Sequence, residues 1–538
     1  MFDVLIRNGT AIDGSGAPRR QADLAISGER IVAVESLPAA QSKEVIDATG
    51  LVVAPGFIDA HCHDDGVLPF QPTADSKVAQ GITTEVGGNC GGSAAPLSPA
   101  TREEANSPAN RNSPVERAGM DVDWGSVEEY FARLTRQGMS VNLALLAGLG
   151  TIRKKVMGMT DGAPTPEQLE EMKGEVEVAM DAGAIGVSTG LIYPPSVYAR
   201  TDEIIALATV AAAKGGVYAS HIRGEGDTLM EAADEALTVG REAGLPVQIA
   251  HLKASGPDNW HKMPLVIERI ESARADGLDV TADMYSYRAS NTGLGALLPH
   301  WAHVGGAEAC VERLKDPAVR RRIHDEGKHR KPGPAWAGYD ERYIASIVIS
   351  YCPPHPEYDG RYLHEVAAER GQDPLDAAMD ILIESTLTTI IIIFSMKEEN
   401  VALGLSRPWV MIGTDGASRY FEGPHTAGKP HPRNFGTFPR VLGKYCREDG
   451  LFSLEEAVRK MTSLPAGKFR LNQRGLLREG HYADIVVFDS QAVADVATFA
   501  EPRQRPRGIP WVFVNGQAAI ADGRQTGARP GRVLRHGG

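Results

Sequence analysis

Apolar residues follow two different rhythms along this chain. Over residues 1–55, and again over 474–538, they come in short runs broken by glycine-bearing turns. FDVLIRNGTAI, DLAISGERIVAV and LVVAP stand at the start; GLLREGHYADIVVFD and PWVFVNGQAAIADG stand at the end. Short β-rich runs with glycine at the breaks predict strands and turns. Chain ends often lie close together, so the two segments are expected to form one small β domain.

Between them, apolar runs alternate with helical stretches such as TPEQLEEMKGEVEVAMDAGA and DTLMEAADEALTVGREAGL. That alternation predicts βα units and a parallel sheet. Eight runs end in polar or glycine residues: GFIDAHCH, TTEVGGNC, NLALLAG, IGVSTG, VYASHIR, VQIAHLK, DVTADMYSY and WVMIGTDG. Eight such units predict a (β/α)8 barrel over residues 56–473. Residues 290–345, rich in Arg, Lys and His, break the rhythm after the seventh run, and a helical insertion near the barrel mouth is expected there. SIVISYC at 346–352 is also strand-like and stands outside the count of eight.

Composition narrows the picture. A chain of 538 residues exceeds what one small core organises, which fits a large domain with a satellite. A hydrophobic fraction of 42% and a charged fraction of 23% are those of a soluble globular enzyme. Asp and Glu number 69 against 56 Lys and Arg, and a net charge of -13 gives no general attraction for nucleic acid or an anionic membrane. The longest apolar candidate for a membrane span, TTIIIIF at 388–394, is far too short. MFDVLIRNGTAIDG reads as strand, turn and strand, not as a signal peptide. Five scattered cysteines, at 62, 90, 310, 352 and 446, make no disulfide framework, so a reducing, cytoplasmic setting is expected.

In barrels of this kind the catalytic groups sit at the C-terminal ends of the strands. Here those ends carry His61 and His63, Cys90, His221, His251 and Asp415. His61 and His63 are two residues apart, so on a strand their rings share one face, while Cys62 between them points to the other face and is expected in the core. A single strand-end histidine is more often structural, a single buried cysteine a small hydrophobe, and Asp before Gly a turn residue. Six such residues at equivalent ends of different strands instead point to a divalent-metal site.

PGFIDAHCHDD, the lone histidines of ASHIRGEGD and IAHLKASG, and the aspartate of IGTDG resemble the amidohydrolase superfamily. GGNCGGSAAP, STGLIYPPSVYA, TADMYSY and HPRNFGTFPRVLGKYCRE resemble its N-acyl-D-amino-acid deacylase (D-aminoacylase) branch, and the match covers nearly the whole chain. The resemblance implies an α/β fold: a TIM-like barrel of the amidohydrolase type with a small β-sandwich domain built from both termini. It also implies Zn2+, with a cysteine in place of the carboxylated lysine of many relatives. By position that cysteine is Cys90, which completes a tight zinc site with His221 and His251; His61, His63 and Asp415 outline a second, weaker site that shares Cys90. The implied reaction is hydrolysis of the amide bond of a small-molecule N-acyl-D-amino acid, giving a carboxylate and a free D-amino acid, with Asp415 as general base.

Substrate contacts are expected from Arg223 and Lys253, each two residues after a strand-end histidine and suited to a carboxylate. Tyr285, Tyr287 and Ser290 would add hydroxyls, and Tyr193 a hydrogen bond to the developing oxyanion. The loop GASRYFEGPHTAGKPHPRNFG after Asp415 holds Arg419, His425, Lys429, His431 and Arg433; it is expected to line the side-chain pocket and is a candidate lid. A basic residue facing that pocket would select D-Glu or D-Asp derivatives, an apolar floor D-Leu, D-Met or D-Phe. A cyclic-amide hydrolase of the dihydroorotase or hydantoinase kind usually supplies a lysine after the fourth run, where IGVSTGLIYPP has none. A D-peptide hydrolase on the same scaffold is the other enzymatic alternative. A non-catalytic barrel would have lost ligand positions that are all filled here.

Overall fold

The computed structural model describes residues 1–107, 120–329, 341–423 and 425–537. Eight parallel strands form one sheet in sequence order: Phe57–Asp59, Ile82–Gly87, Asn142–Gly148, Gly186–Gly190, Val217–His221, Val247–Ile249, Val280–Met284 and Val410–Ile412. They are the eight polar-ended runs. Between the first and last, the amide of Ala60 donates to Ile412 O at 3.2 Å and that of Asp415 to His61 O at 2.8 Å, which closes the sheet into a barrel.

Alternation along each strand divides the apolar residues between two layers. On Val217–His221, Val217 and Ala219 join an inner cluster with Ile58, Ala144, Leu146 and Met411, while Tyr218 packs into the larger cluster shared with the helices. His221, two residues beyond Ala219, continues the inner row at the C-terminal rim. The helices carry their own start and stop signals. Thr165 caps Pro166–Asp181 by accepting from the Gln168 amide at 3.2 Å, and Gly244, with φ of 72°, ends Leu229–Ala243 in the left-handed conformation that glycine adopts without steric cost.

Both termini enter a nine-stranded sheet beside the barrel. Strands Phe2–Ala11, Arg20–Ser27, Arg30–Glu35, Ser42–Asp47 and Val52–Pro55 come from the N-terminal side; Ile485–Phe488, Trp511–Val514, Gln517–Ala521 and Arg524–Gln525 come from the C-terminal side. The halves join where Val52–Pro55 runs antiparallel to Ile485–Phe488.

The segment between the seventh and eighth barrel strands holds helices and also a three-stranded antiparallel sheet of Ser290–Gly293, Ile347–Tyr351 and Ile390–Ile393. It therefore runs on past residue 345 and absorbs the strand-like run at 346–352; its stretch 330–340 lies outside the described residues. The TTIIIIF run supplies the central strand, and Ile391 packs there in a separate apolar core with Ile347, Ile349, Leu375 and Leu314. Among the described residues no helix is long and apolar enough to cross a membrane.

Candidate metal centre

The barrel rim brings six donor side chains into two overlapping groups. Cys90, His221 and His251 form one; His61, His63, Cys90 and Asp415 form the other; within each group the ligand atoms lie within 4.8 Å of one another. Cys90 Sγ is 3.4 Å from His61 Nε2 and 3.5 Å from His251 Nε2, so the thiol sits between the groups. His63 Nε2 is 3.0 Å and His61 Nε2 3.5 Å from Asp415 Oδ1.

The backbone at this rim is bent to serve the site. Cys90, His251 and Asp415 have φ of 53°, 34° and 48°, left-handed values that cost a residue with a Cβ roughly 1–2 kcal/mol. Each lies just past the end of its strand, where the chain turns and swings its side chain inward. The turn at Cys90 also needs a bare neighbour: a Cβ on Gly190 would meet Cys90 O at 2.0 Å.

Carboxylates behind the imidazoles orient them. His61 presents Nδ1 to Asp283 Oδ1 at 3.1 Å, leaving Nε2 toward Cys90. Asp283 is itself held by Gln248 Nε2 at 2.8 Å and by the amide of His251 at 2.8 Å. His251 Nδ1 lies 2.9 Å from Glu225 Oε1, again leaving Nε2 toward Cys90. This carboxylate–imidazole pairing fixes tautomer and ring angle in metal sites. His221 differs: it is buried, Nε2 is 3.9 Å from Glu225 Oε1, and among the described residues neither ring nitrogen has a hydrogen-bond partner. Two orphaned nitrogens in one buried ring cost stability unless something else accepts a lone pair. A thiol, imidazoles with free Nε2 atoms and an adjacent carboxylate are the donor chemistry of zinc, so the residues fit that ion.

Charge reinforces the arrangement. Burial pushes the Cys90 thiol up, but the positive fields of His61 and His251 outweigh it and hold the thiol well below its ordinary range. Burial likewise pushes Asp415 up, and the guanidinium of Arg433, helped by His251 and His63, holds its carboxyl well below the usual carboxylate range. Arg433 Nη1 donates to Asp415 Oδ2 at 2.7 Å.

The expected substrate groups divide. A cavity of about 440 Å³ opens over the centre and is lined by Cys90, His63, Asp415, Tyr193, Thr292 and Arg433 among others. Tyr193 stands edge-on to the His221 ring, with centroids 5.1 Å apart, and its hydroxyl lies 3.3 Å from Thr292 Oγ1. Lys253 Nζ is buried beside the centre, 2.5 Å from Glu225 Oε1 and 2.7 Å from His251 Nδ1. Tyr285 is buried with Lys253 Nζ at 5.7 Å and Arg433 Cζ at 5.0 Å from its ring centroid. Tyr287 instead places its hydroxyl 3.3 Å from Asp495 Oδ2. Ser290 opens an insertion strand, but Asn291 and Thr292 are the residues of that strand that line the cavity. Arg223 does not join the centre. The strand stops at His221, so the two-residue alternation no longer governs it. Its guanidinium pairs with Glu235 at 2.9 Å and donates to the carbonyls of Val197 and Ala199. Cys62 turns away, its Sγ donating to Val86 O at 3.3 Å.

Sequence reasoning gives Asp283 and Glu225 no site role. Asp283 lies in the quoted TADMYSY and Glu225 in HIRGEGD, but which strand or loop they face is a tertiary fact. Arg433 is expected from the sequence as a residue of the loop lining the pocket, but nothing there marks it as the partner of Asp415.

A closed parallel barrel with histidines, a cysteine and an aspartate at its C-terminal rim defines the class: a hydrolase scaffold built around metal. Residues 44–520 match the model of the amidohydrolase family. The chain is 39% identical to the D-aminoacylase of Alcaligenes xylosoxydans xylosoxydans, over 99% of this chain and 97% of that one. It is 38% identical to the N-acyl-D-glutamate deacylase of the same organism, over 99% and 96%. Among solved structures, the N-acyl-D-glutamate deacylase of Bordetella bronchiseptica, complexed with zinc and a phosphonate mimic of the tetrahedral intermediate, superposes with a TM-score of 0.82 at 36% identity, covering 99% of each chain. The chain belongs to the amidohydrolase family, in its D-aminoacylase branch.

Proposed function

We propose that this protein is a zinc-dependent deacylase that hydrolyses N-acyl-D-amino acids to a carboxylate and a free D-amino acid. The observation that carries the reading is the Cys90–His221–His251 group, with both His221 nitrogens unpartnered among the described residues, next to an ionised Asp415. Cys90, His221 and His251 would hold the ion tightly, and His61, His63 and Asp415 with the shared Cys90 would form a second, weaker position. Zinc held there supplies Lewis acidity, which makes a water acidic near neutral pH and polarises an acyl carbonyl.

The chain's own groups do the rest. Asp415 Oδ1 faces the centre while Oδ2 is tied to Arg433, so Oδ1 accepts the proton of the attacking water. The same carboxyl then returns that proton to the amide nitrogen as the C–N bond breaks. Burial pushes the Tyr193 phenol up, so it stays protonated and donates to the carbonyl oxygen as charge develops there. Lys253 Nζ and Arg433 Cζ, 5.7 Å and 5.0 Å from the Tyr285 ring centroid, are the cations offered to the substrate's α-carboxylate, Arg433 through its Nε, which among the described residues has no hydrogen-bond partner while Nη1 holds Asp415. Five unpaired cysteines support a reducing, cytoplasmic setting.

A screen of N-acetyl-D- and N-acetyl-L-amino acids, with zinc added or chelated, tests the reading. D-selective, zinc-dependent release of acetate is expected. In the same assay Asp415→Asn is expected to keep one zinc per chain and lose turnover by about 10²–10⁴-fold. Equal hydrolysis of both enantiomers, or full activity after chelation, would sink it.

A further inference from the structure

Three permanent cations line the cavity over the centre: Lys154, Arg419 and Arg433. Two already have a carboxylate partner within the chain. Lys154 Nζ pairs with Glu104 Oε1 at 2.7 Å, and Arg433 with Asp415 at 2.7 Å. Arg419 is half-buried, and its guanidinium makes one hydrogen bond, from Nη1 to Ser418 O at 3.2 Å. Among the described residues no carboxylate lies within ion-pair distance of it, although the charge of Asp64 acts on it.

The neighbourhood sharpens this imbalance. Arg503 reaches the same loop and donates to Tyr420 O at 2.8 Å and Ala427 O at 2.7 Å; among the described residues it too has no carboxylate within ion-pair distance, and its buried Nε has no hydrogen-bond partner. Arg505 lies over the ring of Phe421, 4.2 Å from its centroid. Three arginines thus gather on and behind one loop in an otherwise acidic protein. Burial pulls the Arg419 guanidinium down from its ordinary value and outweighs the opposing charge of Asp64; burial followed by the charge of Arg419 pulls Arg503 down to about 10. Half-buried guanidinium groups that are unpaired and repel one another are costly. An anion in the cavity would remove that cost, and a guanidinium fork matches a carboxylate bidentately.

We infer that Arg419 is a specificity-determining residue for a second carboxylate on the substrate, distinct from the α-carboxylate, so that the preferred substrates are dianions. This rests on the deacylase reading above. The second carboxylate has two chemical sources: an acidic D-amino-acid side chain or a dicarboxylic acyl group. Either would present its oxygens to the Arg419 fork while the scissile amide lies at the metal centre.

The test uses the zinc-loaded full-length enzyme and two isosteric comparisons. N-acetyl-D-glutamate is set against N-acetyl-D-glutamine for the side chain, and N-succinyl-D-norvaline against N-succinamoyl-D-norvaline for the acyl group. The wild type is expected to favour the dianion in one pair by about 100-fold in kcat/KM, and that pair names the source. Arg419→Met is expected to collapse the ratio toward unity, and Arg419→Lys to restore part of it. A wild-type ratio near unity in both pairs overturns the inference without reference to any variant, and so does a ratio that Arg419→Met leaves unchanged. Cleavage of none of the four compounds would overturn the deacylase reading itself, and the inference with it.

Discussion

Arg433 Nη1 lies 2.7 Å from Asp415 Oδ2, so the carboxylate at the end of the eighth barrel strand is held by a residue eighteen positions later, beyond the loop that follows it. The bond engages one oxygen and leaves the other, Oδ1, facing His63 at 3.0 Å. A charge-assisted bond of this kind is worth about 1.5–3 kcal/mol. Arg433→Met is therefore expected to retain zinc and lose about 10- to 100-fold in kcat/KM. Zinc content by metal analysis, read beside kinetics, checks it; wild-type kinetics in the variant would show that the pairing is incidental.

Glu225 stands behind His251 and against Lys253, 2.9 Å and 2.5 Å away. Glu225→Gln removes the charge that orients the imidazole. Carboxylates in this position are worth about 10–100-fold in metal affinity. A competition titration with a zinc chelator should show weakening of that order, and an unaltered dissociation constant would deny Glu225 this role.

Among the described residues Lys77 is the single cation ion-paired within a fully buried group beneath the rim. Its Nζ is 2.8 Å from Asp59, 3.3 Å from Asp64 and 3.5 Å from Glu85, and it also reaches Thr414 Oγ1 at 3.0 Å. Burial, then the charge of Asp64, pushes the Glu85 carboxyl well above its ordinary range. Removing one partner of a buried ion pair costs about 3–5 kcal/mol because the other charge is left unpaired. Lys77→Met should lower the urea midpoint by an amount of that order, and adding Asp59→Asn should recover part of it. A single variant as stable as the wild type would contradict this account.

Lys460 makes stability depend on pH. Its Nζ is buried and donates to Arg407 O and, at 3.0 Å, to Val410 O at the start of the eighth barrel strand. Burial pulls the amine down from 10.5 to about 7. Between pH 7 and 10.5 the unfolded chain holds a proton that the folded chain lacks, so stability from this group rises with pH across that window. Below pH 7 the penalty is fully present. Lys460→Met removes it, and urea midpoints between pH 7 and 9 should rise less steeply in the variant than in the wild type. Parallel slopes would show that the amine titrates normally.

Much of the centre was legible as a row of residue types. Donors at strand ends are visible because period-two alternation and a polar terminus mark each barrel strand, and His221 continues the inner row begun by Val217 and Ala219. The same rule misled at Arg223, because alternation stops where the strand stops. Lys253 lies beside His251 even though its strand ends at Ile249, since His251 itself takes a left-handed turn. The partners of Asp283, Glu225 and Arg433 escaped because a carboxylate or guanidinium in a loop or barrel wall carries no mark of the histidine or aspartate it faces.

The sequence by itself determined the eight βα units, the β segments at both ends and the donor types at the rim, because each is written in local periodicity and in what ends a run. Only the tertiary structure decided which partners those donors meet, which cations already have a carboxylate partner and that the run at 346–352 belongs to a separate sheet. Those are contacts between residues far apart in the chain, set by barrel closure and loop packing. No local pattern encodes them.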